Sequence, residues 1–283
     1  SGILMPVFSL PSQYGIGCFS KEAYQFVDFL KESGQKNWQV LPLGQTSYGD
    51  SPYQSFSSFA GNPYFIDLEQ LVEQQLLTKE ECDSFDFGKN PESIDYAKLY
   101  QNRYKILRMA CNRFLKQPPD DFFAFCQEND WWLGNYALFM VIKNMNKGAS
   151  WLQWEEKYKR RDFAALDQVW HGQHEERQFY QFQQYLFFCQ WKKLHAYAAQ
   201  AGLQIIGDIL IYVALDSAAA WAEPQLFHFD EELNSVAVAG CPSDAFSATG
   251  HLWGQPLYLW EYHCQTGYAL WIRILAPCHN LYD

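Results

Sequence analysis

The chain has 283 residues, of which 48% are hydrophobic and 18% aromatic, and its formal net charge is -11. This length suits one α/β barrel of about 250 residues, although two smaller domains would also fit it. The negative charge argues against binding to nucleic acid or to an anionic membrane surface, because both attract basic proteins.

The first segment, residues 1–68, alternates helix and strand patterns. Apolar residues at helical spacing predict a helix over residues 21–33, which Gly34 ends. Two short apolar runs, 37–43 and 64–68, predict strands on either side of a long polar stretch.

The second segment, residues 69–165, shows mainly helical periodicity. Residues 96–115 and 121–147 predict helices, while strand patterns are few. We interpret this segment as an inserted helical subdomain.

The third segment, residues 166–283, returns to a mixed pattern. An apolar stripe predicts a helix over residues 176–200, and a nearly continuous apolar run predicts a fully buried strand over 204–213. We expect a long loop over 214–262 and a final helix over 267–275. With the two earlier runs, the chain is predicted to offer three parallel strands.

The eight cysteines contain no Cys-x-x-Cys pair and no zinc-like spacing. We expect them to be reduced and mostly buried, which indicates a cytoplasmic location. The sequence has no run of about 18 apolar residues and opens with no secretory signal pattern. No metal and no cofactor is predicted.

The stretch over residues 49–63 is the most informative part of the chain. It is rich in glycine, proline, serine and aromatic residues, so it predicts a long ordered loop rather than a core element. It follows a predicted strand, and ligands in parallel sheets bind at the carboxyl edge. We therefore expect a binding site in this loop.

Several blocks resemble the 4-alpha-glucanotransferases, also called amylomaltases or disproportionating enzymes. They occur in order along the whole chain, which makes the resemblance specific. The blocks are Leu4-Met5-Pro6-Val7-Phe8-Ser9-Leu10-Pro11-Ser12, Tyr14-Gly15-Ile16-Gly17, the loop over 49–63, residues 205–217, residues 239–250 and Trp253-Gly254-Gln255-Pro256-Leu257-Tyr258.

The resemblance implies an α/β fold, namely a partial (β/α)8 TIM-type barrel with an inserted helical subdomain. Residues 1–68 would give the first barrel strands and the substrate loop, and 69–165 the subdomain. Residues 166–283 would continue the barrel, with an acceptor-side loop, and end before the fourth strand. The implied activity is transfer of α-1,4-glucan segments between maltooligosaccharides by a retaining double displacement.

The family's nucleophilic aspartate lies in an Arg-Ile-Asp-His block that closely follows a Leu-Tyr-Asp sequence. Here Leu281-Tyr282-Asp283 is the end of the given sequence, and the block occurs nowhere in it. The resemblance therefore implies that the chain holds none of the three catalytic carboxylates and is inactive alone. Two alternatives remain open: a non-catalytic glucan-binding protein or truncated relic, and a hydrolase of the same barrel type.

The resemblance also implies substrate-binding residues. Tyr53 would stack on the glucose at the cleavage subsite, with Ser51 hydrogen-bonding nearby and Asp216 binding hydroxyls of the same glucose. The other implied residues are Trp253 at the donor subsites, Asp244 and Phe246 in the acceptor loop, and Tyr48 at a more distant glucan contact.

Each of these residues also has a structural interpretation. Ser51 could fix a turn, and Tyr53 could belong to the core. Asp216 could cap a helix, and Trp253 could be a buried plug. For Asp208, inside the predicted third strand, we favour a structural hydrogen-bonding role.

Overall fold

The computed structural model describes residues 1–46, 50–90, 92–245 and 247–283, without the side chains of 277–280. Tyr48 and Phe246, both predicted as binding residues, lie outside the described residues. The strands within these ranges are β1 (Gly2–Leu4), β2 (Asn37–Gln39), β3 (Gln204–Ile206), β4 (Val238–Cys241) and β5 (His251–Pro256). The α-helices are α1 (Lys21–Glu32), α2 (Leu68–Glu73), α3 (Lys79–Asp83), α4 (Tyr96–Phe114), α5 (Asp120–Glu128), α6 (Asp130–Met145), α7 (Glu156–Lys159), α8 (Phe163–Gly172), α9 (His174–Gln200), α10 (Ala218–Ala222), α11 (Trp260–Gln265) and α12 (Ala269–Leu281).

The first three strands form one parallel sheet in the order β1-β2-β3. Ile3 pairs with Trp38, and Trp38 pairs with Ile205, so these three side chains point to the same face. Trp38 and Ile205 are fully buried, because Phe26 of α1 packs against Trp38 and α9 packs against β3. The carboxyl ends of all three strands therefore lie at one edge.

The opposite face of the sheet is open. Leu4, Gln39 and Ile206 stand in register on it, and all three are exposed. Leu4 and Ile206 are apolar, so this face leaves hydrophobic surface in contact with water.

Two hydrophobic clusters support the helices. One surrounds the sheet and joins α1, α4 and α9, and the other joins α6, α10 and α12 around Trp151 and Trp221. Residues of the predicted helical subdomain contribute to both clusters. The division of the chain at residues 69 and 165 stays a prediction.

The structure confirms the helices predicted over 21–33, 96–115 and 176–200 within a few residues. The helix predicted over 121–147 is divided at Asn129 into α5 and α6. The last predicted helix is longer than expected and runs to Leu281.

One predicted strand, 64–68, is wrong, and the strand predicted over 37–43 is shorter than expected because β2 ends at Gln39. Residues 64–68 begin with a 3-10 turn at Pro63–Phe65, where the Asn62 side chain accepts a hydrogen bond from the Tyr64 N–H. The third predicted strand exists but ends at Ile206 rather than at residue 213, and it is not fully buried, because Gln204 and Ile206 are exposed. The sheet still has three strands, because β1, which the sequence did not predict as a strand, takes the place of 64–68.

The predicted loop over 214–262 is also partly wrong. It contains α10, the antiparallel pair β4–β5 and the start of α11. Within the described ranges, no helix combines the length and the apolar character that crossing a membrane requires.

Candidate functional site

The loop over residues 40–62 leaves the carboxyl end of β2 and is closed at its base. Gly44 and Gly61 form an antiparallel bridge, and the Asn62 N–H donates to the Leu43 carbonyl at 2.8 Å. A second bridge joins Thr46 and Ser55 further along the loop. The two arms therefore hold each other in place without being part of the sheet.

Helix α9 holds this base through a side-chain amide. Gln184 is fully buried, and its Oε1 accepts from the Gly61 N–H at 2.7 Å while its Nε2 donates to the Gly61 carbonyl at 3.0 Å. Gln190 makes the same pair of bonds to the backbone of Asp67, at 2.7 and 3.2 Å. These two amides satisfy four buried backbone groups that the sheet does not reach.

A further side-chain amide, that of Gln45, ties the loop to two buried tyrosines. Gln45 is buried, its Oε1 accepts from the Tyr136 hydroxyl, and its Nε2 donates to the Tyr104 hydroxyl at 3.0 Å. Burial raises the pKa of Tyr104 to about 12 and raises the pKa of Tyr136 well above its usual value. Both hydroxyls therefore stay protonated at neutral pH, and the network persists.

Tyr53 joins the loop after β2 to the segment after β3. Its hydroxyl donates to Asp208 Oδ2 at 2.8 Å, and this bond raises the pKa of Tyr53. The Tyr53 side chain is 43% exposed, so the interpretation as a core residue is wrong. The bond fixes the phenol at the carboxyl edge of the sheet and leaves much of its ring open to a ligand.

Ser51 supports a turn next to Tyr53. Its Oγ accepts from the Tyr53 N–H at 3.3 Å, and its carbonyl accepts from the Gln54 N–H at 3.1 Å. This hydrogen bond supports the interpretation that Ser51 fixes a turn. Its predicted bond to glucose stays a prediction.

Asp216 lies after β3 but does not cap a helix. Ser217 is the N-cap of α10, and its Oγ accepts from the Ala220 N–H at 3.2 Å. Asp216 instead pairs with Lys143 of α6 at 2.5 Å. The capping interpretation is wrong, and the predicted contact with glucose hydroxyls stays a prediction.

Trp253, on β5, stands at the outer end of a row of aromatic rings. Its centroid lies 6.3 Å from that of Tyr212, which stacks on Tyr258 at 6.2 Å and 11°. The Tyr258 hydroxyl donates to the Ile211 carbonyl at 3.0 Å, so the row is fixed to the segment after β3. Trp253 is 47% exposed, which excludes the interpretation as a buried plug.

Asp244 takes part in a turn of the segment between β4 and β5. Its Oδ1 accepts from the Ser247 N–H at 2.9 Å, and its own N–H donates to the Ser247 carbonyl at 3.0 Å. Its predicted place in the acceptor loop stays a prediction.

A small aromatic cavity of about 120 Å³ adjoins Asp208. Rings of Phe59, Trp131, Trp132 and Phe187 line it. Aromatic faces beside carboxylate and hydroxyl groups suit a neutral ligand that carries both C–H faces and hydroxyls.

A larger cavity of about 700 Å³ lies between the first turn of α1 and α2, and none of the described residues in the segments 40–62 and 207–217 lines it. Its central groups, Tyr14, Glu69 and Lys79, bond to one another. We assign it no ligand. Across the described ranges, no group of three or more His, Cys, Asp or Glu side chains is placed to hold a metal ion.

Comparison with known proteins gives the family. The family model described as 4-alpha-glucanotransferase matches residues 5–283. The chain belongs to this family. The resemblance found in the sequence is therefore confirmed.

Individual relatives support the same family assignment. The chain is 45% identical over 280 residues to a 4-alpha-glucanotransferase from Clostridium butyricum, covering 99% of the chain and 58% of the relative. It is 46% identical over 285 residues to one from Streptococcus pneumoniae, covering 100% of the chain and 56% of the relative. The chain thus spans little more than half the length of these relatives.

A solved structure, that of amylomaltase from Streptococcus agalactiae in complex with acarbose, superimposes with a TM-score of 0.96 at 41% identity. The match covers 100% of this chain and 57% of that one. The mixed helix and sheet arrangement described above is therefore that of the corresponding part of a 4-alpha-glucanotransferase family member.

Two residues around the site were missed in the sequence. The hydrogen-bonding role predicted for Asp208 is confirmed, and its partner is the binding candidate Tyr53. Gln45 and Lys143 were not considered, although each is a buried polar residue within an apolar context, which signals a specific partner.

Proposed function

We propose that this chain forms the glucan-binding part of a 4-alpha-glucanotransferase, which transfers α-1,4-glucan segments between maltooligosaccharides with retention of configuration. The observation that carries this proposal is the Tyr53–Asp208 hydrogen bond. It joins the loops after two neighbouring strands and presents an open phenol ring at the carboxyl edge of the sheet. This is where parallel α/β folds bind their ligands.

We further propose that β1, β2 and β3 are the first three strands of a (β/α)8 barrel. The superposition on an amylomaltase over the whole chain supports this. The open sheet face with Leu4 and Ile206 also supports it, because a closed barrel fills its interior with such side chains. Asp283 lies along the free edge of β3, where its N–H donates to the Ile205 carbonyl at 3.0 Å.

Retaining transfer needs two carboxyl groups about 5–5.5 Å apart, one as nucleophile and one as acid and base. In the segment over 207–217, Asp208 bonds to Tyr53 and Asp216 pairs with Lys143. The proposal that this chain lacks the catalytic carboxylates rests on the absence of the Arg-Ile-Asp-His block from the given sequence.

We therefore expect the purified 283-residue chain to leave maltotriose unchanged, because neither a nucleophile nor a proton donor is available. The measurement is chromatography of the products, with a full-length 4-alpha-glucanotransferase as positive control. Release of glucose together with longer oligomers would contradict the proposed lack of catalytic groups. Glucose without longer products would favour the hydrolase alternative.

Binding without turnover is the second expectation. Maltoheptaose and acarbose should bind saturably, and Y53A or W253A should weaken binding at least about tenfold because each removes an aromatic surface. Titration calorimetry measures this. F29A is the matched control, since Phe29 is also half-exposed but lies in the last turn of α1, outside the two loops that form the proposed site. Equal losses in F29A and Y53A, or no binding by the wild type, would refute the proposed site.

A non-catalytic glucan-binding protein is the second candidate, because the same site would serve it without the missing carboxylates. The intact mass of the gene product in its cells separates the two. A mass near 33.1 kDa favours the binding protein, and a much larger mass favours the transferase. The cytoplasmic location stays part of the proposal.

A further inference from the structure

Lys143, on α6, is a buried cation that lies where three segments meet. Its side chain is 9% exposed, and its Nζ lies 2.5 Å from Asp216 Oδ2 and 3.3 Å from the Ala149 carbonyl. Its Nζ also lies 5.0 Å from the centroid of the Phe56 ring, within the range of a cation–π interaction. One ammonium group, carried by α6, thus contacts the segment after α6, the loop after β2 and the segment after β3.

The segment after β3 is held at this point by more than the ion pair. Asp216 Oδ1 accepts from the Trp151 N–H at 3.3 Å, and the Trp151 indole donates to the Leu215 carbonyl at 2.7 Å. Both carboxylate oxygens of Asp216 therefore bond to the protein.

The loop after β2 reaches the same place. The Phe56 carbonyl accepts from the Ala218 N–H at 2.7 Å, two residues beyond Asp216. Phe56 itself is three residues from Tyr53. The two loops that carry Tyr53 and Asp208 are consequently joined twice, at the Tyr53–Asp208 bond and around Lys143.

The energetics favour a fixed arrangement. A nearly buried ammonium is costly unless it is paired, so Lys143 holds Asp216 and Phe56 in the places that satisfy it. Without the ammonium, the Asp216 carboxylate would lose its counter-charge and turn toward water. The segment after β3, which also carries Asp208, would then lose one of its constraints.

We propose that Lys143 is a positioning residue that fixes the two glucan-binding loops relative to each other, and that Asp216 acts through Lys143 rather than by contacting glucan. This inference rests on the proposed function for its ligand. It replaces the predicted direct contact between Asp216 and glucose hydroxyls with an indirect one.

A double-mutant cycle in the 283-residue chain tests the inference, with the dissociation constant for maltoheptaose as readout. K143M and D216N should each weaken binding about tenfold, and the double variant should be little worse than either alone, because both remove one interaction. K143R, which keeps the positive charge, should retain most of the wild-type affinity that K143M loses. If D216N weakens binding as much in the K143M background as in the wild type, Asp216 contacts glucan directly and the inference is wrong.

Amide hydrogen exchange, measured for each peptide without ligand, gives an independent readout. It can be measured whether the chain is monomeric or self-associated. K143M and D216N should speed exchange about tenfold in residues 53–60 and 207–217, and leave α1 and β2 unchanged. K79M is the matched control, since Lys79 pairs with Glu69 at 2.6 Å and neither residue belongs to the two loops. Equal acceleration across all peptides, or none in the two loops, would overturn the inference. If the wild type binds no maltoheptaose, the proposed function fails while this measurement still decides the role of Lys143.

Discussion

Replacing Gln184 by leucine is expected to lower the free energy of unfolding by about 3 kcal/mol, because it leaves two buried backbone groups without partners. The amide of Gln184 is the partner of both the N–H and the carbonyl of Gly61. Leucine fills a similar volume but offers neither a donor nor an acceptor. Urea or thermal unfolding followed by circular dichroism measures the change.

The neighbouring residue supplies the matched control. Gln183 is equally buried, but its Oε1 and Nε2 have no hydrogen-bond partner among the residues that the structure describes. Q183L removes an amide that is already unsatisfied, so it should be neutral or stabilising. The same loss of stability in Q183L and Q184L would show that the side-chain amide of Gln184 does not hold the loop.

Replacing Gly61 by alanine is expected to cost a similar amount, about 3 kcal/mol, through overpacking. An added Cβ would overlap the ring of Phe187, which is fully buried and packs against the rings of Phe19 and Phe188. Gly61 cannot move away either, since Gln184 and Gly44 hold its backbone. Besides the loss of stability, we expect weaker maltoheptaose binding, because the loop base would shift.

G172A is the control for this variant. Gly172 ends α8, and an added Cβ there would meet no described atom within 4 Å outside its chain neighbours and the backbone of its own helix. Alanine should therefore be neutral or slightly stabilising, as expected for a helical position. A G61A protein as stable as G172A would show that the close approach of Gly61 and Phe187 is not a tight constraint.

The long helices were predictable because their apolar positions repeat every three to four residues over many turns. In α1, Ala23, Val27 and Leu30 show this spacing, and all three are fully buried. The prediction made the third strand too long, because a continuous apolar run does not show whether its residues are buried in a sheet or in another part of the core. Beyond Ile206 the chain leaves the sheet, and Val213 packs into the second hydrophobic cluster instead.

The site was predictable only where a motif marks it. Tyr53 and Trp253 followed from their blocks, and both are exposed beside the segment after β3. Lys143 could not be placed, because it is 73 residues from Asp216 in sequence and only the fold brings the two together. Likewise the sequence shows several glutamines in α9 but cannot say that Gln184 is paired and Gln183 is not.

The two glutamines on α9 fix the spacing of the backbone segment that lies along this helix. Gln184 and Gln190 are six residues apart, and so are Gly61 and Asp67, the backbone positions that they hold. Deleting one residue between the two glutamines would rotate the second amide by about 100° and withdraw it from Asp67. Insertions and deletions should therefore be excluded from this stretch of α9 as the sequence diverges, even where single substitutions on its other faces are accepted.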